Sequence, residues 1–194
     1  MDADGLRALT YACATTAEER VAKRAGLNAV RVGVRAANGV PAGRLVSFGL
    51  AGALRDGLGV GDVLDATRVV DEHGATLWEG GPLGVPGAQG ATVLGSDVLV
   101  HDALERRRLH ESSGADAVDM ESGVLARSGR LAGVVRAISD DVTSTIEGVD
   151  TTVRPDGRTD AFGLLRWLGG KRTDAVRSVF GAIVALKALE KAVA

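Results

Sequence analysis

Aromatic residues make up only 3% of this 194-residue chain, with three phenylalanines, two tryptophans and one tyrosine. Proteins that hold single-stranded nucleic acid stack successive bases on aromatic rings, so that class is disfavoured at once. Excess charge of one sign is also missing. The chain carries 23 Lys and Arg against 25 Asp and Glu, a formal net charge of -2, with both signs interspersed. This gives no electrostatic reason to expect DNA, RNA or an anionic membrane as partner. The single Cys13 cannot close an internal disulfide, which suits a reducing compartment. One cysteine and three scattered histidines (His73, His101, His110) offer no metal-ligand spacing. No run of about 18 apolar residues is available to span a membrane. The opening Met-Asp-Ala-Asp-Gly lacks the basic and apolar regions of a signal peptide. These absences lead to the expectation of a cytoplasmic protein with no metal, no nucleic-acid partner and no membrane span.

Hydrophobic residues make up 45% of the chain and charged ones 25%, an ordinary globular composition. The length predicts a single domain over residues 1–194 whose core needs no staples. Apolar runs without alternation alternate with helical patterns. Strands are expected over Arg7–Ala14, Ala29–Arg35, Arg44–Leu50, Val63–Asp71, Ala75–Trp78, Ala91–Leu94, Ala117–Met120 and Gly133–Ser139. The strand Arg44–Leu50 runs into a glycine turn at Ala51-Gly52. Thr15–Glu19 offers two overlapping capping boxes, Thr15 with Glu18 and Thr16 with Glu19, for a helix ending near Gly26. Further helices are expected over Asp97–Ser112 (Leu99, Ala103, Leu104 and Leu109 inward), Glu121–Arg130 and Thr159–Leu168. A last helix is N-capped by Thr173, with an apolar stripe of Val176, Val179, Phe180, Ile183, Val184 and Leu186. The stretch 80–90, with five glycines and two prolines, is a loop. This is the pattern of an α/β fold with a covered sheet.

In such sheets ligands sit at the carboxyl ends of strands. That rule selects Thr15–Glu19, Gly49–Gly52, Met120-Glu121 and Ser139–Asp141. Three of these segments carry carboxylates and the fourth is bare backbone. Each also has a plain reading. Ser139-Asp140 can cap the next turn, Glu121 can answer a helix dipole, and Glu18 and Glu19 complete capping boxes. Taken together, an acid for a leaving group, negative charge near a cationic sugar and a base for water suit cleavage of a glycosidic bond. Gly57, Gly59 and Gly61 imitate a dinucleotide fingerprint but lack its strand-to-helix context.

In chain order, Ser47-Phe48-Gly49-Leu50-Ala51-Gly52-Ala53-Leu54, Val60-Gly61-Asp62-Val63, Gly95-Ser96-Asp97, Ala117-Val118-Asp119-Met120-Glu121-Ser122 and Val135-Arg136-Ala137-Ile138-Ser139-Asp140 resemble the nucleoside phosphorylase and nucleosidase superfamily. Ala17-Glu18-Glu19-Arg20 and Pro155-Asp156-Gly157-Arg158 are similar to segments of its hopanoid-associated branch. The resemblance implies a three-layer α/β/α fold with a mixed, twisted central sheet, shortened relative to the family. It implies cleavage of the N-glycosidic bond of an adenosine-type purine nucleoside or nucleoside-bearing lipid, and a homo-oligomer. Asp140 would then protonate the departing base. Glu121 would accept hydrogen bonds from ribose, with Met120 against the sugar. Glu18, or else Glu19, would serve as the base for water, Ala51 and Gly52 would line the nucleophile site beside Ser139, and Leu99 would stand where many relatives stack an aromatic ring. No cofactor is implied beyond phosphate as a possible co-substrate. No phosphate-binding arginine pattern is recognisable, although Arg20 is near enough to stand in, which tilts the expectation toward hydrolysis over phosphorolysis. A catalytically weak nucleoside-binding or assembly relative is the remaining alternative.

Overall fold

In the computed structural model, described over residues 5, 8–100, 102–144, 154–158 and 172–194, two long buried strands form the spine. Strand β3 (Leu45–Ala53) and strand β8 (Leu131–Asp140) run parallel, in register from Leu45 with Leu131 to Gly52 with Asp140. Nearly every residue in both is buried, as their unalternated apolar sequences require. Beside β3 lies β1 (Thr10–Cys13), and beside that β2 (Ala29–Arg31), both parallel to it. A second parallel group comprises β4 (Val63–Val70), β6 (Gln89–Gly95) and β7 (Ala117–Asp119), with β5 (Thr76–Glu79) antiparallel on its edge.

The two groups join twice, and both junctions are antiparallel. β4 pairs with β8, and β7 pairs with the end of β3 at Gly52 and Ala53. The path β3–β8–β4–β6–β7 therefore returns to β3, and the mixed sheet curls on itself. At Gly52 strand β3 meets both partners, Asp140 on one side and Val118 on the other, with a register break between Ala51 and Gly52 that leaves Ser139 out of the pairing. Ala51 and Gly52, expected as a turn, are thus strand residues. Pairing with β8, joined from Gly52 onward by β7, holds them extended.

Helices cover the sheet. Helix α1 (Thr16–Arg24) and helix α4 (Arg172–Val193) share one core with Phe48, Val135 and Leu83. Helix α3 (Ser122–Arg127) belongs to the other core, with Leu45, Leu64, Val93 and Val134. Helix α2 (Ala103–Ser113) flanks a third cluster around Leu54, Leu94 and Val118. The result is the expected mixed α/β fold with a central sheet and helices. Among the described residues no helix is long and apolar enough to cross a membrane.

Several boundaries differ from expectation for local reasons. The strand from Ala29 stops at Arg31 because Gly33 takes φ 78°, and Val34–Ala36 forms a tight turn with Arg35 and Ala36 both at φ 54°. The helix expected from Asp97 begins at Ala103, since Asp102 accepts the Glu105 amide at 2.9 Å as its N-cap while Ser96 folds residues 96–98 into a turn. Leu104, expected inward, is exposed. The final helix already contains Thr173 instead of starting after it. Its seat is Gly181, Ala185 and Leu189, spaced by four, whereas Phe180 and Ile183 face outward. Gly181 is required there, because any side chain would run into the Ser139 carbonyl. The helix expected over Thr159–Leu168 lies outside the described residues.

Candidate active site

At the end of β1 the chain turns into α1 through Thr15, whose hydroxyl accepts the Glu18 amide at 3.3 Å. Glu18 reaches back, and its Oε2 accepts the Thr15 amide at 2.7 Å and the Thr15 hydroxyl at 2.9 Å. This is the first of the two expected capping boxes; the second, Thr16 with Glu19, does not form. The other carboxylate oxygen of Glu18, Oε1, accepts the Leu50 amide at 2.9 Å. The bare backbone of β3 thus presents its N–H to a carboxylate of the protein itself. Gly49 makes this approach possible, because a Cβ there would collide with Glu18 and come within 2.8 Å of Arg136. Glu19 turns away and pairs with Lys23 at 2.5 Å on the outer face. The structure separates two glutamates that their sequence pattern leaves equivalent.

The β7-to-α3 connection divides its work in a similar way. Asp119 Oδ1 accepts the amides of Glu121 at 3.0 Å and Ser122 at 2.8 Å, and so caps α3. Glu121 sits at the N-cap position without making a side-chain cap, and its carboxylate accepts the Arg35 amide at 3.2 Å across the cleft. Below these groups lies Arg136, fully buried in the middle of β8. Its Nε lies 2.7 Å from Asp119 and its Nη2 3.6 Å from Glu121. Nη2 also donates to Ser47 Oγ at 2.6 Å, and Nη1 donates to the Leu50 carbonyl at 3.3 Å. Desolvation pushes the Glu121 carboxyl up to about 8, helped by the Asp119 and Glu18 charges and opposed by Arg136.

Asp140 ends β8. Its Oδ1 accepts the Ser139 hydroxyl at 2.6 Å, and its Oδ2 lies 2.5 Å from Arg106 Nη2. Burial pushes its carboxyl above the usual range; the Arg106 charge and the Ser139 hydrogen bond oppose the shift. Asp141 makes the following turn instead, accepting the Thr143 amide and the Thr143 and Ser144 hydroxyls. Gly52 lies directly under the pair. A Cβ on it would stand 2.5 Å from Arg106 and 2.6 Å from Asp140.

These groups open on one cleft of about 240 Å³. Glu18, Ala51, Gly52, Leu99, Met120, Glu121, Ser139 and Asp140 all line it, whereas Glu19, the alternative base, does not. Thr15, Asp119 and Arg106 line it as well, with Val34, Val98 and Val100 among the apolar walls. Arg20 is exposed on α1 and is not part of this lining. Sequence reasoning missed the roles of Arg106, Arg136 and Asp119. Arg136 had a signal, being a lone charge inside an apolar strand. Arg106 had none, because it is the first of three consecutive arginines on a polar helix.

The curled mixed sheet with its covering helices is a fold shared with solved nucleosidases. The 5′-methylthioadenosine/S-adenosylhomocysteine nucleosidase of Helicobacter pylori, solved with butyl-thio-DADMe-Immucillin-A, superposes with a TM-score of 0.56 at 17% identity over 95% of this chain and 97% of that one. The corresponding S. pneumoniae nucleosidase gives 0.56 at 14% over 93% and 99%. The futalosine hydrolase of Helicobacter pylori gives 0.54 at 13% over 93% and 99%. The sequence matches no family model and no curated protein.

Proposed function

We propose that the chain hydrolyses the N-glycosidic bond of a purine nucleoside, free or carried on a lipid of the kind the hopanoid-associated resemblance suggests. The observation that carries this reading is the meeting of Glu18, Glu121 and Asp140 in one cleft. The purine lies at the Asp140 end and ribose lies between Met120 and Glu121. Asp140, whose raised pKa keeps a proton available, gives it to a purine ring nitrogen. The electron pair of the C1′–N bond leaves with the base. A water oxygen forms the new bond to C1′ and passes its proton to Glu18. Negative charge from Glu18 favours the oxocarbenium-like sugar, while Glu121, which holds its proton up to about pH 8, hydrogen-bonds the ribose hydroxyls. The cleft is at the small end for a ligand site, so a lipid tail extends outside it.

Hydrolysis is favoured over phosphorolysis by charge. Arg136, the buried cation among the described residues that reaches Glu121 and the Leu50 carbonyl, is already engaged by Asp119, Ser47 and that carbonyl. A phosphate dianion there would face the Glu18 carboxylate without a free guanidinium. The test is to incubate purified protein with a nucleoside panel, with and without phosphate, and measure free base. Release without phosphate is expected. A strict phosphate requirement would overturn hydrolysis, and binding without release under any condition would favour a nucleoside-binding relative. The identity of the base, expected from the resemblance to be of adenosine type, turns on the groups beside Asp140.

A further inference from the structure

Resting on the hydrolytic reading of this cleft, we propose that Arg106 selects a 6-oxopurine as the leaving base over a 6-aminopurine, revising the adenosine-type expectation. Arg106 is 1% exposed and reaches from helix α2 into the cleft beside Asp140. It is held there by donating to the Ala53 carbonyl at 3.1 Å and the Val100 carbonyl at 3.4 Å, in addition to its pairing with Asp140. Its Nε has no hydrogen-bond partner among the described residues. A guanidinium only donates and does not lose its proton.

The edge of a purine that includes N7 differs between the two classes. A 6-oxopurine presents two adjacent acceptors, N7 and O6, whereas adenine presents the N7 acceptor beside an N6 amino donor. At the Asp140 end of this cleft the described side chains offer an acid, Asp140, beside a permanent donor, Arg106, with the Ser139 hydroxyl already donating to Asp140. Two acceptors match that pair. Adenine would bring its amino group against a guanidinium, donor to donor, in a buried site where an unmatched polar contact is costly. Among the described residues the apolar lining of this cleft includes Val34, Val98, Leu99 and Val100 and no aromatic side chain, so the polar edge decides. The chemistry agrees. When the C1′–N pair leaves with the base, charge on a 6-oxopurine spreads to O6, where Arg106 meets it while Asp140 delivers its proton to N7. Adenine has no oxygen to receive that contact.

The experiment compares base release from inosine and adenosine, and separately the binding of hypoxanthine and adenine to the intact protein without turnover. Inosine is expected to be preferred in kcat/KM by roughly 10- to 100-fold, and hypoxanthine to bind more tightly by a similar factor. Arg106→Gln, whose amide both donates and accepts, moves both ratios toward unity, and Arg106→Lys keeps the preference. Adenosine preferred or equal in the native protein overturns the selectivity, and so does an unchanged ratio in a folded Arg106→Gln variant. If Arg106→Gln does not fold by circular dichroism, the native binding ratio and Arg106→Lys decide. Hypoxanthine preference without release from either nucleoside sinks hydrolysis and leaves the selectivity standing. Release with adenosine preferred does the reverse.

Discussion

A carboxylate at a strand end can cap the turn that follows or face the ligand, and neighbouring residues divide these tasks here. Asp119 caps α3 and Glu121 faces the cleft; Asp141 makes its turn and Asp140 faces the cleft. The division yields a paired prediction. Asp140→Asn removes the proposed proton donor and should lower kcat by about 10²- to 10⁴-fold with the fold intact, whereas Asp141→Asn should change kcat little. Base release by the two variants, with circular dichroism as the control, checks this; equal losses would place the acid elsewhere. Glu18 does both jobs at once, which is why its capping box hid its second role. The strand-end rule found these positions without a family, because carboxyl ends of strands are legible from apolar runs alone. Arg106 and Arg136 were not legible as site residues. Their meaning depends on partners, 34 positions away for Arg106 (Asp140) and 17 for Arg136 (Asp119), that only the folded sheet brings near.

At the scale of elements, strand interiors were readable from composition, and ends were not, because ends are set by hydrogen bonds between segments. β3 continues through Ala51 and Gly52 since β8 pairs both and β7 adds a second partner from Gly52 onward, a long-range fact. Asp65 on β4 accepts the amides of Leu83, Gly84 and Val85, which ties down the glycine-rich loop expected over 80–90. The α1 cap is the element on which the site leans most. Thr15→Ala leaves the Glu18 amide without its acceptor and removes one of the three donors that hold the Glu18 carboxylate. It should cost about 1 kcal/mol in stability, read by urea denaturation. On the proposed role of Glu18 as the base for water, it should also lower kcat more than it raises KM. A change in KM alone would show that Glu18 merely caps. Gly52→Ala should be worse, since its methyl would meet Arg106 and Asp140 together. Little folded or active protein is expected from that variant.

For the whole molecule, Arg136 and its carboxylates form a buried charged island, and this makes stability depend on pH. The Glu121 carboxyl stands at about 8 in the folded chain against an ordinary 4.5. Between those values the unfolded chain has lost the proton and the folded chain keeps it, so the folded state binds more protons. Stability therefore falls as pH rises from about 4.5 to about 8 and levels off beyond. Asp140, also raised by burial, adds to the fall with the same sign. Urea midpoints at pH 5, 6, 7 and 8 should decline in the native protein, and Glu121→Gln, which has no proton to lose, should flatten most of that decline. Parallel slopes in the two proteins would mean that Glu121 ionises normally. Arg136→Met acts in the opposite direction on the same island. It leaves Asp119 and Glu121 buried without a cation, at a cost of about 3–5 kcal/mol near neutral pH. Because the Arg136 charge opposes the raised Glu121 pKa, its loss raises that pKa further, so the stability of the Arg136→Met variant should go on falling past pH 8, where the native protein levels off; urea midpoints at pH 8 and 9 that level off alike in both proteins would count against this.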